Sequence, residues 1–316
     1  MNTFAKRERI GWIALPLLLT ALTACSGGGG ASSETLPPAP APAAPADLCS
    51  GTSTTLDCGF EHDTIAREFI LYRPSSAGPN AALLLNFHGY GSSARGQFQY
   101  ADFRALADRD GFMIASPQGT ELDGTTHWAV GSWTAASTVD DVGFTAALID
   151  AVDAEYGVDT KRVYATGMSN GGYMSYHLAC QLSDRIAAIA SVTGSLSPEV
   201  RAACSPTRPM PVLQIHGTAD DVVPFDGANW TLSMADVMSY WQDANGCAAA
   251  PETVALDDAN GDGAIPGLDR YQNCTAGADV QLYRMTNMGH IWPELTRGDD
   301  IAGVEIVWAF LSRFSI

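Results

Sequence analysis

Lysine is almost missing from this chain. Only Lys6 and Lys161 carry it among 316 residues, and Lys plus Arg number 17 against 35 Asp plus Glu, a formal charge of −18. A surface so poor in positive charge repels phosphate backbones, which excludes nucleic acid as a partner. Extended apolar stretches are scarce as well. Ile10 to Ala24 runs for 15 residues, short of the ~20 that span a bilayer as a helix. No internal repeat is present, which excludes solenoids and propellers. Cysteine is limited to seven residues.

What is present falls into three parts. Lys6, Arg7 and Arg9 precede the apolar stretch, which ends in Leu22-Thr23-Ala24-Cys25. That ending resembles a bacterial lipobox, so residues 1–25 are expected to be a lipoprotein signal peptide with Cys25 as the lipidated residue. The alternative is an ordinary signal peptide cleaved nearby. Residues 26–47 are rich in Gly, Pro and Ala, with Pro37, Pro38, Pro40, Pro42 and Pro45. Such a segment has too few large apolar side chains to pack and is expected to be a disordered linker. Residues 48–316 are left as the folded domain. The expected location is exported, extracellular or on the outer membrane, with membrane attachment only through the N-terminal lipid. With Cys25 set aside, six cysteines remain. An even number in an exported chain predicts disulfides, paired between sequence neighbours as Cys49–Cys58, Cys180–Cys204 and Cys247–Cys274.

The folded part alternates strand and helix patterns. Ile65–Arg73 reads as an edge strand, and Ala81–Phe87 is a continuous apolar run suited to a strand buried on both faces. Phe98–Asp108 has helical spacing, and Phe112–Ala115 is the next strand. Asp140–Tyr156 reads as a long helix, with Asp140 and Asp141 as carboxylates capping its first turn. Further strands are expected at Ile186–Val192, Val212–Ile215 and Val280–Arg284, with helices at Met234–Trp241 and Val304–Phe314. This order predicts an α/β fold with a mostly parallel central sheet and helices on both faces. Its functional site belongs at the C-terminal ends of the strands.

The chemistry centres on Thr166-Gly167-Met168-Ser169-Asn170-Gly171-Gly172. A strand pattern precedes it and a helix pattern follows. Gly-x-Ser-x-Gly in that setting is a nucleophile elbow, with glycines at 167 and 171 where a Cβ would collide. A serine nucleophile needs a base, and the base needs an orienting group. Asp220, with Asp221 in reserve, follows the strand Val212–Ile215, and His290 follows Val280–Arg284. The order Ser, acid, His is that of α/β-hydrolases. The other histidines have plainer readings: His88 and His216 bond backbone at strand ends, His177 lies in a helix, and His62 and His127 lie in loops. Backbone N–H groups of Tyr90, in His88-Gly89-Tyr90-Gly91, and of Asn170 are the expected oxyanion donors.

These motifs, with Val139-Asp140-Asp141-Val142-Gly143-Phe144 and Gly289-His290-Ile291-Trp292-Pro293, resemble the polyhydroxybutyrate depolymerase/feruloyl esterase-like family of secreted α/β-hydrolases. The resemblance covers roughly residues 60–315. It implies an α/β-hydrolase fold and carboxylic-ester hydrolysis through Ser169, Asp220 and His290, and it favours Asp220 over Asp221. The substrate it implies is a hydroxycinnamoyl ester of plant polysaccharide, a polysaccharide acetyl ester or a polyhydroxyalkanoate.

The short Gly194–Pro211 connection leaves no room for a large lid. Trp133 and Trp292 are the candidate substrate-lining side chains, for stacking on an aromatic acyl group or a sugar. The partner is thus a polymeric or small ester, and hydroxycinnamoyl esters are the favoured class. A serine peptidase and a non-catalytic surface binder are the rival classes. Catalysis needs no cofactor in this reading. Separately, Asp258 to Asp269 has the spacing of a 12-residue calcium loop, with Asp258, Asn260, Asp262, Ala264 and Asp269 at ligand positions. It would hold a structural calcium; the plainer alternative is an Asp/Gly-rich turn.

Overall fold

Seven successive residues, Ala81–Phe87, are buried without exception. A run with no polar face can only sit in the middle of a sheet covered on both sides. In the computed structural model, which describes residues 48–51 and 53–316, that is its place. Cys25, the signal segment and the linker 26–47 lie outside the described residues.

The first strands are β1 (Cys49–Ser50), β2 (Thr55–His62), β3 (Ile65–Tyr72) and β4 (Ala81–Phe87). Helices α1 (Ala94–Tyr100) and α2 (Arg104–Asp110) lead to β5 (Met113–Pro117). A small hairpin, β6 (Thr120–Leu122) and β7 (Thr125–His127), precedes α3 (Asp141–Tyr156). Then follow β8 (Val158–Met168), α4 (Asn170–Gln181), β9 (Ala188–Val192), α5 (Pro198–Ala203), β10 (Val212–Gly217) and α6 (Met234–Asn245). The chain closes with β11 (Glu252–Ala255), β12 (Pro266–Tyr271), β13 (Val280–Met285) and α7 (Gly303–Leu311).

Eleven strands form one sheet in the order β1-β2-β3-β5-β4-β8-β9-β10-β13-β12-β11. The six from β5 to β13 are parallel, and antiparallel strands flank them on both sides. The expected α/β-hydrolase architecture is therefore present. One apolar layer packs α3, α4 and α6 on the sheet through Phe144, Leu148, Met174, Tyr176, Val237 and Trp241. The other packs α1, α2 and α7 through Phe98, Leu106, Trp308 and Phe310. Each large side chain withdrawn in this way contributes about 1.5–3 kcal/mol before entropy is charged against it.

Several expectations need correction. Strand β3 is no edge: β2 pairs along its whole length and β5 pairs on its other side, so Phe69, Ile70 and Leu71 are buried. The helix expected over Phe98–Asp108 is two, broken at residues 101–103, where Asp102 Oδ1 accepts the N–H of Arg104, the first residue of the second. Asp140 caps α3 by accepting the Gly143 N–H at 2.7 Å. Asp141 is more than a cap. Its carboxylate is buried, 2.7 Å from the Arg67 guanidinium, and also accepts the Ala129 N–H at 2.8 Å. It thus ties the loop after β7 to α3. His62 and His127 end strands β2 and β7 rather than lying in loops.

The three expected disulfides are formed: Cys49–Cys58, Cys180–Cys204 and Cys247–Cys274. The first joins directly opposed residues of β1 and β2. The second anchors the segment between β9 and β10 to the end of α4, and among the described residues that segment holds only the short α5 and no lid.

Candidate active site

Ser169 sits between β8 and α4 with φ 54° and ψ −120°, a backbone conformation that L-residues rarely adopt. The turn is forced by crowding. A Cβ at Gly167 would lie 2.6 Å from Phe87 O and from Gly171 C, and one at Gly172 would lie 2.6 Å from Ser191 Oγ. Gly171 is tighter still against Phe87 O. These glycines let α4 start directly on the strand ends, which lifts Ser169 clear of the sheet.

Asp220 and His290 come from two adjacent strands. Asp220 follows β10 and His290 follows β13, its parallel neighbour. Gly217 lets the loops touch, since a Cβ there would lie 2.6 Å from Met288 C. His290 Nδ1 stands 2.8 Å from Asp220 Oδ2. The other carboxylate oxygen accepts the N–H groups of Val222 at 3.0 Å and Val223 at 2.8 Å. Burial pushes the Asp220 carboxyl up, but donors from His216, His290 and Val223 outweigh it and hold the group well below the usual carboxylate range. An ionised carboxylate on Nδ1 requires the N–H tautomer there, so Nε2 of His290 carries the free lone pair. Among the described residues His290 Nε2 makes no hydrogen bond, to Ser169 Oγ or to any other group. Asp221 is exposed, and its side chain bonds nothing among the described residues.

The two expected oxyanion donors lie beside the elbow. Asn170 is the first residue of α4, where an N–H has no partner within the helix. Tyr90 N–H also finds no acceptor among the described residues. The Tyr90 loop abuts the elbow: a Cβ on Gly89 would lie 3.5 Å from Ser169 Cβ. The Asn170 side chain faces inward, accepting Trp128 N–H at 2.7 Å and donating to Trp128 O at 3.2 Å. Its amide therefore braces the neighbouring loop.

The remaining histidines are structural, with one exception. His88 accepts the Gly119 N–H at 2.9 Å and donates to Gly89 O at 2.7 Å, and burial lowers its pKa to about 4. His177 bonds Ala129 O, and burial lowers it too. His216 does bond backbone, at Val223 O, but it also lies 3.4 Å from the Asp220 carboxylate. The sequence reading missed that second contact.

The two tryptophans part company. Trp292 is fully buried, edge-on to Phe103 with its indole N–H toward Glu294, and it packs beneath α7. It lines no cleft, because the turn after His290 points the ring into the apolar layer. Trp133 is half-buried and stands edge-on to Tyr173, 4.9 Å between ring centroids. Tyr173 N–H donates to Ser169 O, so this contact lies one helical turn past the nucleophile. Trp230, from the loop after Asp220, completes the cluster at 5.2 Å from Trp133. Ser132 Oγ donates to Trp230 O at 2.6 Å and locks the two loops. Trp230 was not singled out from sequence. Its position ten residues past Asp220, on a loop leaving the same sheet edge, was the available signal.

The twelfth position of the calcium-loop pattern, Asp269, does not sit with the others. Asp269 lies inside β12, where it accepts from Thr253 Oγ1 at 2.7 Å and faces Arg284 at 3.6 Å. Asp258 and Asp262 converge instead with Asp300. Asp258 accepts the N–H groups of Gly261 and Gly263, Asp262 accepts that of Ala264, and Asn260 donates its amide to Gly298 O. Hydrogen bonds within the segment, and from it to Gly298 O and Asp300 Oδ1, close this Asp/Gly-rich loop.

Known proteins similar to this chain are esterases. A bifunctional acetylxylan esterase/xylanase of Neocallimastix patriciarum is 28% identical over 79% of this chain. Feruloyl esterase B of Piromyces equi is 31% identical over 79%. The chain spans 34% and 46% of the length of these two relatives. Among solved structures, an acetyl xylan esterase from Aspergillus awamori superposes with a TM-score of 0.54 at 17% identity, covering 73% of this chain and 92% of its own, a likeness of fold. A family model described as phospholipase/carboxylesterase matches residues 74–236, just over half the chain. The chain belongs to the phospholipase/carboxylesterase family of α/β-hydrolases.

Proposed function

We propose that this protein is an exported serine carboxylic-ester hydrolase that works through an acyl-enzyme, with hydroxycinnamoyl esters of plant polysaccharide as its substrate class. The observation that carries the reading is the Asp220–His290 pair at the same sheet edge as a serine held at φ 54°.

In this mechanism His290 Nε2 takes the Ser169 proton as Oγ bonds to the ester carbonyl carbon. The N–H groups of Tyr90 and Asn170 receive the oxyanion. The tetrahedral centre expels the alkoxy group, which leaves as the alcohol with the proton from His290. Water then gives a proton to His290 and adds to the acyl-enzyme, and collapse returns the acid and free Ser169. Asp220 keeps the imidazole in the tautomer that both halves need.

Two features favour an aromatic acyl group. Trp133 and Trp230 offer indole surface one helical turn from the nucleophile. The relative from Piromyces equi is a feruloyl esterase. The second reading, an acetyl ester of xylan, is favoured by the Neocallimastix patriciarum relative. Polyester depolymerisation is the third. Export is supported by the three disulfides, which persist in oxidising compartments, and the Cys25 lipid anchor belongs to the same proposal.

The test compares methyl ferulate, acetylated xylan and a polyester emulsion with wild type and Ser169→Ala. Turnover of ferulate that Ser169→Ala abolishes without loss of fold is expected. Hydrolysis confined to acetyl or polyester substrates would replace the substrate class, and full activity in Ser169→Ala would end the mechanism.

A further inference from the structure

Behind Asp220 lies a buried hydrogen-bond chain that the hydrolytic mechanism does not require. It begins on α4, the helix that starts at the nucleophile. Tyr176 O–H donates to Gln214 Oε1 at 2.8 Å. Gln214 Nε2 lies 3.0 Å from Gly194 O and 3.0 Å from His216 Nδ1. His216 Nε2 lies 2.9 Å from Val223 O and 3.4 Å from Asp220 Oδ2. Tyr176, Gln214 and His216 are each wholly inaccessible to solvent.

The direction of this chain is determined by carbonyls, which only accept. Gly194 O requires the NH2 end of Gln214, so Oε1 faces the Tyr176 hydroxyl. His216 Nδ1 therefore faces an N–H and must be the unprotonated nitrogen. The ring proton sits on Nε2 and is donated to Val223 O, with Asp220 Oδ2 3.4 Å from the same nitrogen. Val223 also donates its own N–H to Asp220 Oδ1. One imidazole thus holds the turn that cradles the carboxylate and keeps its N–H beside Oδ2.

We propose that His216 is a positioning residue for the catalytic acid: Tyr176 and Gln214 set its tautomer, and its Nε2–H fixes Asp220 and tempers the carboxylate's pull on His290. This rests on the Ser169–Asp220–His290 reading. The ionisable groups facing Asp220 are His290 from the β13 loop, His216 from β10 and the Tyr173 phenol from α4. Burial raises the Tyr173 and Tyr176 phenols, so both stay neutral. The Phe225 ring closes the far side of His216 and adds no charge. A donor taken from Asp220 leaves more negative charge for His290 Nδ1–H. The imidazolium is then stabilised, and a higher pH is needed to free the base.

The experiment measures kcat and kcat/KM for p-nitrophenyl acetate across the acid limb in wild type, His216→Leu and His216→Gln, with circular dichroism as the check on folding. His216→Leu is expected to move the acid limb to higher pH and lower kcat on the order of tenfold with little change in KM. His216→Gln, which keeps an N–H at the right reach, is expected to restore both toward wild type. If His216→Leu does not fold, Tyr176→Phe takes its place, and the limb should move the same way by less. An active wild type with an unmoved limb in the folded donor-free variant would overturn the inference, as would equal loss in the Leu and Gln variants. A wild type without Ser169-dependent turnover would overturn the triad reading instead.

Discussion

Asp220 gives one carboxylate oxygen to His290, 2.8 Å from Nδ1, and the other to the N–H groups of Val222 and Val223. Its neighbour Asp221 is exposed and bonds to nothing among the described residues. Asp220→Asn presents an amide that can pair with the wrong imidazole tautomer. We expect kcat to fall by about 10³-fold or more, while Asp221→Asn stays within about twofold of wild type. Esterase assays of the two purified variants distinguish them, and comparable losses would show that the acid is misassigned.

The same carboxyl makes stability depend on pH. Its folded pKa is depressed by the surrounding donors, despite burial that pushes it up. The stabilisation is present in full above the unfolded value of about 3.9 and is lost as the pH falls from there toward the folded value. Wild type should therefore melt above Asp220→Asn at neutral pH, and the gap should narrow below about pH 4. Parallel melting curves against pH measure it; a gap that widens in acid would contradict the sign.

Ser169 holds a positive φ of 54° that costs of order 1 kcal/mol or more for a residue with a Cβ. Ser169→Gly should relieve that strain. We expect a protein more stable by about 1 kcal/mol in urea unfolding and devoid of esterase activity. Destabilisation would mean that the serine side chain contributes packing not seen at the elbow.

Trp133 and Trp230 meet edge-to-face beside Tyr173. Replacing Trp230 by Ala removes one wall and leaves the triad untouched. KM for methyl ferulate should rise about 5- to 13-fold, from an aromatic contact worth about 1–1.5 kcal/mol, while p-nitrophenyl acetate changes little. Equal effects on both esters would point to a disturbed loop rather than a lost contact.

Much of this protein was legible along the chain because its signals are local. A fully apolar run such as Ala81–Phe87 can only be a covered strand. Gly167 and Gly171 around Ser169 mark a turn that no other residue type can make. Cysteines close in sequence paired with one another. The order of serine, acid and histidine followed from where strands end. Side-chain direction did not follow, since it depends on partners far away. Trp292 turned inward because Phe103 and α7 offered it an apolar layer. Asp141 became half of a buried ion pair because Arg67, on β3, lies beneath it. Asp269 was drawn into a strand facing Arg284 and left its loop without a closing ligand. His216 reaches both Asp220 and Gln214 because α4 and the β10 loop meet over it. Backbone conformation answers to neighbours in sequence, whereas the surroundings of a side chain are assembled only when the layers close.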